Sequence, residues 1–262
     1  MTISGAASVL PVQLDGLRVA ITAAGGGIGR VMADSFAVAG AAVFVSDIDE
    51  TALAACPHPS MRANAGVRAE LDAFMDAALG ALGGLDVLVN NAGIAGPTKP
   101  VEEIDEAELD ATLQICLASQ FHCARRAVPA LRKAGGGSII NLSSAAGKFG
   151  FPLRSPYAAA KWGVIGFTRT LALELGVDSI RVNALLPGLV EGPRIRSVIR
   201  NKALAAGVGD NEQTKRALAP ISLRCFVTQQ DIANMALYLA SPFGATISGQ
   251  ALSVDGGMEW LA

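Results

Sequence analysis

Short apolar runs alternate with amphipathic segments along most of this chain. Apolar runs of strand length occupy residues 17–22, 41–47, 61–63, 85–91, 137–144, 179–187 and 250–257. Helical patterns fill the intervals, at residues 28–39, 49–56, 65–83, 105–134, 155–176 and 229–240. Strands that are apolar on both faces and separated by helices form parallel sheets with helices on both sides. The pattern therefore predicts an α/β fold of three layers, α/β/α, around a doubly wound parallel sheet of seven strands.

The alternation continues without a linker rich in Pro or Ser, an internal repeat or a low-complexity tract. We therefore expect residues 1–262 to form a single domain. Residues 192–223 depart from the alternation with a long polar stretch that follows the sixth apolar run. Long connections of this kind often cover a binding site, so we expect a substrate lid there.

The composition supplies a large core and argues against two kinds of partner. Hydrophobic residues make up 51% of the chain and charged residues 17%, with a net charge of -2. Nucleic-acid binding needs clustered Lys and Arg to neutralise phosphates, and no basic run stands out here. The first residues lack the basic segment of a secretory signal, and no uncharged apolar run reaches membrane-spanning length. We expect no nucleic-acid partner, no membrane association and a cytoplasmic location.

Cysteine and histidine are too few and too scattered to suggest a metal site. The histidines are His58 and His122, and the four cysteines contain no CxxC pair: Cys56, Cys116, Cys123 and Cys225. Zinc sites draw their ligands mainly from these residue types at characteristic spacings. We therefore expect no bound metal, and free thiols in a reducing compartment.

The pair Tyr157 and Lys161 is the leading candidate for catalysis. The two residues stand four positions apart in a predicted helix, so their side chains share one face of it. A nearby ammonium favours the ionised form of a phenol, and such a phenol can exchange a proton as an alcohol and a carbonyl interconvert. The same spacing is common on solvated helix faces, so the neighbouring motifs decide its meaning.

A glycine cluster joins the first predicted strand to the first predicted helix. Gly25, Gly27 and Gly29 lie there, where backbone N–H groups and a helix N-terminus can bind a pyrophosphate. Asp47 ends the second predicted strand, and Ile48 after it brings no cation. An acidic side chain at this place binds ribose hydroxyls and repels a 2′-phosphate. The features predict a Rossmann-type site for NAD, with NADP disfavoured, whereas a turn that merely packs tightly is the alternative.

Together these motifs resemble the short-chain dehydrogenase/reductase family, from about residue 15 to residue 258. The segments that carry the resemblance are TAAGGGIG (22–29), Asp47, NNAG (90–93), Ser144, YAAAK (157–161), PG (187–188) and SGQALSVDGG (248–257). Each segment is common by itself, whereas their order and spacing are very specific.

The resemblance implies catalytic roles for Ser144, Tyr157 and Lys161. Ser144 would hold the substrate oxygen, Tyr157 would pass the proton, and Lys161 would promote ionisation of the phenol and bind the nicotinamide ribose. Asn90 would brace the central strands and line the cofactor site. The implied cofactor site comprises Gly25, Gly27, Ile28, Gly29, Asp47, Asn64, Asn91, Ala92, Gly93, Tyr157, Lys161, Pro187, Gly188 and Val190.

Four positions depart from the family pattern. Ala23 stands where the family's turn has Gly, Asn64 where it commonly has an Asp that contacts adenine, and Gly192 where it often has a Thr that contacts the carboxamide. The largest departure is Cys116, which occupies the place of the Asn in the family's catalytic tetrad. Because a thiol is a weak hydrogen-bond donor and acceptor, we expect an altered proton relay.

The leading interpretation is an NAD-dependent oxidoreductase that transfers a hydride between nicotinamide and a secondary alcohol or ketone, such as a polyol, a sugar acid or a hydroxy acid. Arg154 or Arg194 would bind an anionic substrate through the guanidinium group. A solvated amphipathic lid is the alternative. The cations of the predicted lid are Arg194, Arg196, Arg200, Lys202, Lys215 and Arg216.

Two other functions stay open. An NADP-linked 3-oxoacyl reductase is the nearest rival within the family, and Asp47 disfavours it. A catalytically weak nucleotide-binding homologue is favoured by Cys116, whereas the complete catalytic set counts against it. Members of the family are usually tetramers or dimers, and the helices at 105–134 and 155–175 are rich in Ala, Leu and Ile. We therefore expect a homotetramer or a homodimer.

Overall fold

The computed structural model describes residues 8–261, except for the side chains at positions 194, 201, 202 and 205. Seven parallel strands of this part of the chain form one sheet: β1 (Arg18–Ile21), β2 (Ala42–Asp47), β3 (Ser60–Arg62), β4 (Val87–Asn90), β5 (Gly137–Leu142), β6 (Ile180–Pro187) and β7 (Ala251–Val254). Their order is β3-β2-β1-β4-β5-β6-β7. The chain winds outward from β1 to β3, crosses back to β4 beside β1, and winds outward again to β7. The predicted doubly wound sheet is confirmed.

Helices cover both faces of this sheet. The α-helices of the described residues are α1 (Gly27–Val38), α2 (Glu50–Ala54), α3 (Arg68–Leu82), α4 (Glu106–Leu113), α5 (Ser119–Ala134), α6 (Ser155–Leu175), α7 (Pro193–Ala206), α8 (Asp210–Leu218) and α9 (Gln229–Ala240). Helices α1 and α9 pack on one face, and α3, α5 and α6 pack on the other. The three predicted layers are therefore present, whereas the assignment of residues 1–262 to a single domain stays a prediction.

The strands read as continuous apolar runs because both of their faces are buried. In β5, Ile139 belongs to the core cluster that includes residues of α3, α5 and α6, and Ile140 belongs to the cluster that includes residues of α1 and α9. Neither side chain has exposed surface. A strand buried on both faces has no polar side to alternate with the apolar one. The same arrangement explains the high share of hydrophobic residues in the chain.

An ion pair links the amino ends of the adjacent central strands β1 and β4. Arg18 begins β1, and its guanidinium binds Asp86 through two contacts, Nε to Oδ2 at 2.7 Å and Nη2 to Oδ1 at 2.9 Å. The backbone N–H of Arg18 donates to the same carboxylate at 2.9 Å. Burial by itself would raise the pKa of Asp86, but the hydrogen bonds and charge of Arg18 outweigh burial and lower this pKa.

Two regions differ in detail from the predicted elements. The predicted helix at 105–134 is divided into α4 and α5 by a π-helical turn, Gln114–Ala118. The predicted lid at 192–223 contains two helices, α7 and α8, joined at Gly207, whose φ is 65°. Within residues 8–261, no helix is both long and apolar enough to cross a membrane.

Candidate active site

In the glycine turn between β1 and α1, Gly29 has no room for a side chain. A Cβ atom on Gly29 would lie 2.4 Å from the carbonyl oxygen of Ala23 and 2.5 Å from Nδ2 of Asn91. Gly27 has a φ of 57°, and Gly26, which precedes the helix, offers no side-chain cap to its first N–H groups. The backbone N–H groups at the start of α1 are therefore open to an anion, as a pyrophosphate site requires.

The NNAG segment holds this turn in place from the neighbouring strand. Asn91 follows β4, and its Nδ2 donates to the carbonyl oxygens of Thr22 at 3.0 Å and Ala23 at 2.7 Å. The hydroxyl of Thr22 in turn accepts from the backbone N–H groups of Asn91 and Ala92, each at 3.0 Å. The two segments meet at the point where the winding of the sheet reverses, which is where ligands bind in open α/β sheets.

Asp47 lies beside the glycine turn at the end of β2. Its Oδ2 accepts from the backbone N–H of Gly25 at 2.9 Å, and its Oδ1 accepts from the backbone N–H of Asp49 at 3.1 Å. A Cβ atom on Gly25 would lie 3.1 Å from Cβ of Asp47, so the carboxylate and the turn are in close contact. The side chain of Ile48 after it is exposed.

The three predicted catalytic residues stand at the carboxyl end of β5 and on α6. Ser144 follows β5, and Tyr157 lies in the first turn of α6. Lys161, one turn later, is buried; its Nζ lies 5.7 Å from the centroid of the Tyr157 ring and donates to the carbonyl oxygen of Leu142 at 2.7 Å. The hydroxyl of Ser143 donates to the carbonyl oxygen of Lys161 at 2.8 Å and so ties α6 to β5.

One cavity of about 730 Å³ joins these features. It is lined by all three catalytic candidates and by most of the predicted cofactor residues, namely Gly27, Ile28, Gly29, Asn91, Gly93, Tyr157, Lys161, Pro187, Gly188 and Val190. A second cavity, of about 770 Å³, lies at the amino ends of β1 and β6 and is lined by none of the predicted site residues. We place the site in the first cavity, because the candidate chemistry lies there.

Four predicted cofactor residues lie outside the lining of this cavity: Gly25, Asp47, Asn64 and Ala92. Gly25 and Asp47 bind each other at one end of the glycine turn. Asn64 follows β3, and its Oδ1 accepts from the backbone N–H of Gly66 at 2.9 Å. This side chain therefore shapes the loop that leads to α3.

The PG segment after β6 packs against the last strand. A Cβ atom on Gly188 would lie 2.7 Å from Cα of Asp255, and the backbone N–H of Gly188 donates to the carbonyl oxygen of Val254 at 3.0 Å. Asp255 is buried and accepts from the N–H groups of Gly257 and Met258. This close packing brings the C-terminal residues Met258 and Trp260 to the cavity wall, which the sequence did not reveal.

Cys116 lies in the π-helical turn and is buried beside the cavity. Its thiol donates to the carbonyl oxygen of Ile94 and accepts from the N–H of Ile94, each at 3.4 Å. Gln120, one turn later, donates from Nε2 to the carbonyl oxygens of Cys116 and Leu142, each at 3.3 Å. The carbonyl of Leu142 also accepts from Lys161, so Cys116 and Gln120 belong to the hydrogen-bonded surroundings of the lysine. Gln120 and Lys161 therefore share the carbonyl of Leu142 as an acceptor, and Cys116 joins this network through its backbone carbonyl.

Asn90 has a structural position. It is buried, and its Nδ2 donates at 2.9 Å to Oδ1 of Asn141, its partner in β5. Nδ2 of Asn141 donates to the hydroxyl of Thr168 on α6 at 2.9 Å. The chain of three side chains braces the central strands against α6, as expected, whereas Asn90 is absent from the cavity wall.

Most described cations of the predicted lid face solvent and have acidic partners. Three pairs link exposed side chains: Arg196 with Glu191 at 3.3 Å, Arg200 with Asp210 at 3.8 Å, and Arg216 with Glu212 at 3.2 Å. The side chains of Arg194 and Lys202 lie outside the described residues. Arg154 differs from these cations because it is half-buried. It lines the cavity beside Tyr157, and Arg216 lines the same cavity from α8.

Comparison with known proteins places the chain in a family. A family model described as Enoyl-(Acyl carrier protein) reductase matches residues 22–259. D-beta-hydroxybutyrate dehydrogenase of Rhizobium meliloti (strain 1021) is 38% identical over 181 residues, 69% of each chain. Trans-4-hydroxycyclohexanecarboxylate dehydrogenase of Sinomonas cyclohexanicum is 38% identical over 252 residues, 90% of each chain.

A solved structure with the same fold is the 3-ketoacyl-(acyl-carrier-protein) reductase of Brucella melitensis in complex with NADH. It is 29% identical, superposes with a TM-score of 0.83, and the match covers 94% of this chain and 99% of that one. The family model and the two dehydrogenases match the segment that carries the motifs. The expectation of an oxidoreductase is thereby confirmed: the chain belongs to the short-chain dehydrogenase/reductase family.

Proposed function

We propose that this protein is an NAD-linked dehydrogenase that interconverts a secondary alcohol and its ketone. One observation carries the proposal: Ser144, Tyr157 and Lys161 line the same cavity as the glycine turn and the Pro187–Gly188 segment. A hydride transfer needs the carbinol carbon, the proton-transfer group and the nicotinamide together in one enclosed space. The names of the two dehydrogenases above, each of which acts on a hydroxylated compound, support this choice.

The chain's own residues fit a dinucleotide. Backbone atoms of Ala23 and Ala24 and the side-chain amide of Asn91 lie where a Cβ on Gly29 would be, so the turn requires glycine at that position. The open N–H groups at the start of α1 suit the pyrophosphate. Asp47 would bind the adenosine ribose, and Lys161 would bind the nicotinamide ribose. Pro187, Gly188 and Val190 would hold the nicotinamide. When bound, the nicotinamide supplies the hydride acceptor for alcohol oxidation or the hydride donor for ketone reduction.

The protein residues handle the proton and the substrate oxygen. Tyr157 takes the hydroxyl proton during oxidation and returns it during reduction. Ser144 donates a hydrogen bond to the same oxygen and stabilises the charge that develops on it. Lys161 places its ammonium 5.7 Å from the centroid of the Tyr157 ring, so that a fixed positive charge lies beside the group that transfers the proton.

The preference for NAD over NADP follows from the charges around Asp47. A carboxylate at this place repels a 2′-phosphate. Arg62 lies opposite Asp47 in the register of the neighbouring strands β2 and β3. Its guanidinium, however, binds Glu70 at 2.9 Å and lies 3.6 Å from the carboxylate of Glu50. Arg62 is therefore already neutralised by acidic neighbours, and Ile48 supplies no charge.

We propose that the chain forms one domain with a lid at 192–223 and assembles as a homotetramer or homodimer. Phe121 on α5 and Trp162 on α6 are each about half exposed (48% and 52%), and the ring of Phe121 stacks on Phe167 with centroids 3.8 Å apart. Large exposed apolar side chains on neighbouring helices are typical of interfaces. Light scattering on the purified protein tests this proposal, and a monomer at micromolar concentration contradicts it.

The catalytic proposal is tested by a substrate panel. Polyols, sugar acids, hydroxy acids and simple secondary alcohols are incubated with NAD and with NADP, and the nicotinamide absorbance is followed. We expect turnover that is faster with NAD. Faster reduction of 3-oxoacyl thioesters with NADPH contradicts the cofactor assignment. Tight NADH binding without turnover across the panel contradicts the catalytic assignment and favours a nucleotide-binding homologue.

A further inference from the structure

We propose that Trp260 contacts the substrate from the C-terminal segment 258–261, and that the substrate is a secondary alcohol, or the matching ketone, with a bulky apolar body. The inference rests on the proposed function and names the substrate class of the same site. It arises from an aromatic side chain in the cavity wall, close to the end of the chain.

The C-terminal segment lies on the catalytic side of the cavity. Met258 is buried and shares one apolar cluster with Ile221 and with Ala145, the residue that follows Ser144. Met258 and Trp260 both line the cavity. The segment therefore stands beside the residue proposed to hold the substrate oxygen, where it faces groups bonded to the carbinol carbon.

Backbone hydrogen bonds hold this segment in place. The N–H of Glu259 donates to the carbonyl oxygen of Pro220 at 2.8 Å, and the N–H of Ser222 donates to the carbonyl oxygen of Gly257 at 2.9 Å. An isolated antiparallel bridge joins the same two segments. Trp260 follows directly, so its backbone is anchored to the carboxyl end of the predicted lid, and its ring belongs to a wall with a defined position.

The wall opposite the catalytic residues offers apolar surface. The side chain of Trp260 is half exposed (50%) although it lines the cavity, and α7 of the lid contributes Ile195, Val198 and Ile199 to the same wall. Apolar surface in a concave site is stabilised by contact with an apolar ligand. A ring or a branched alkyl group supplies that contact, whereas the hydroxyls of a polyol would lose water there without a hydrogen bond in return.

The charged side chains of the wall have partners within the protein. Besides the catalytic lysine, the charged residues among the described part of the wall are Arg154, Glu191 and Arg216. The carboxylate of Glu191 lies 3.3 Å from the guanidinium of Arg196, and the guanidinium of Arg216 lies 3.2 Å from Glu212. Arg154 donates to the carbonyl oxygen of Ala95. These contacts leave the apolar side chains as the main surface for the body of the substrate.

The kinetic test compares 1-cyclohexylethanol with 2-propanol, which keeps the carbinol and lacks the ring. Trp260→Ala should lower kcat/KM about 10- to 100-fold for 1-cyclohexylethanol, the range for apolar contacts in a substrate pocket, and less than about 3-fold for 2-propanol. Trp260→Phe keeps part of the apolar surface and should retain part of the activity. Phe243→Ala removes an exposed aromatic side chain outside the cavity wall and serves as the matched control.

Two kinetic results overturn the inference. Equal losses on both alcohols in Trp260→Ala mean that the indole supports the fold of the wall and does not contact the substrate. Faster turnover of sorbitol or 3-hydroxybutyrate than of 1-cyclohexylethanol by the wild-type protein rules out the substrate class.

A binding measurement uses the tryptophans themselves. The chain has two, Trp162 and Trp260, and Trp162 is absent from the cavity wall. Trp162→Phe therefore leaves Trp260 as the single reporter, and cyclohexyl methyl ketone is titrated into its NAD complex. We expect the Trp260 emission to shift to shorter wavelength and its quenching by acrylamide to fall, because the ketone displaces water from the ring. In Trp260→Phe the remaining Trp162 should not respond.

This measurement separates the inference from the proposed function. An unchanged Trp260 emission overturns the inference, whether or not turnover is found. A response of Trp260 without turnover on any alcohol supports the inference and contradicts the proposed function.

Discussion

The carboxylate of Asp47 accepts a hydrogen bond from the backbone N–H of Gly25 across 2.9 Å, and so links the end of β2 to the glycine turn. The contact places a fixed negative charge beside the proposed pyrophosphate site. We expect Asp47→Ala to lower kcat/KM with NAD about 10- to 100-fold, because the ribose loses a charged acceptor. The value with NADP should fall less or rise, because the repulsion is removed.

Asp49→Ala is the matched control for this prediction. The carboxylate of Asp49 caps α2 by accepting from the N–H of Ala52 at 3.0 Å. Its loss should reduce the free energy of unfolding by about 1 kcal/mol and leave the ratio of the two cofactors unchanged. The assignment of Asp47 is wrong if Asp47→Ala also leaves that ratio unchanged.

Ala23 begins the glycine turn with a φ of 53°. A residue with a Cβ pays about 1–2 kcal/mol in this left-handed region, and the family pattern has Gly here. We expect Ala23→Gly to increase the free energy of unfolding by about 1 kcal/mol, since the relief of strain exceeds the added backbone entropy of the unfolded chain. Urea unfolding measures the change.

Gly29→Ala provides the contrast, since its new Cβ would meet the carbonyl of Ala23 at 2.4 Å. This variant should unfold at lower urea and bind NADH more weakly. A lower unfolding free energy in Ala23→Gly than in wild type would contradict the strained conformation of Ala23.

The Arg18–Asp86 pair makes stability depend on pH. The pKa of Asp86 is lowered in the folded protein, so the pair stabilises the fold fully above the ordinary carboxyl pKa of about 4 and loses this contribution as the pH falls through the folded pKa. Asp86→Asn should cost about 1–2 kcal/mol at pH 7, and the gap to wild type should close in acid. Unfolding curves at pH 7 and at about pH 3 test this, and a gap that stays constant rules out the charged pair as the cause.

Cys116 replaces the usual tetrad Asn while contacting both backbone groups of Ile94. In Cys116→Ala the N–H and carbonyl of Ile94 lose this partner, which should cost about 1–3 kcal/mol of stability and lower kcat. In Cys116→Asn an amide offers a stronger donor and acceptor, so kcat should match or exceed that of wild type. Unchanged melting temperature and kcat in Cys116→Ala would show that the thiol contributes nothing to the site.

The sheet and most of its helices could be predicted because a buried parallel strand and an amphipathic helix each leave a periodic signature. The π-helical turn at 114–118 left none, since its residues also fit a regular helix, and its contact with Ile94 depends on tertiary packing. The same limit applies to Met258, which pairs with Ile221 across an isolated bridge. A contact between segments so distant in the sequence has no local pattern.

The candidate site was predictable to a similar degree. Helical spacing pointed to Tyr157 and Lys161 and the family resemblance pointed to Ser144, and the three residues line one cavity. The spacing could not show that Asn64 turns its side chain toward Gly66 or that Trp260 reaches the cavity wall. Those positions depend on how loops pack, and loops carry little periodic information.

The central claim is that the hydroxyl of Tyr157 transfers the proton in an NAD-linked oxidation. The most direct test is the turnover of Tyr157→Phe with NAD and the best alcohol of the substrate panel, measured together with its affinity for NADH. We expect kcat to fall by at least about 100-fold while the affinity for NADH stays within about 3-fold of wild type. Turnover that survives at the wild-type rate would contradict it.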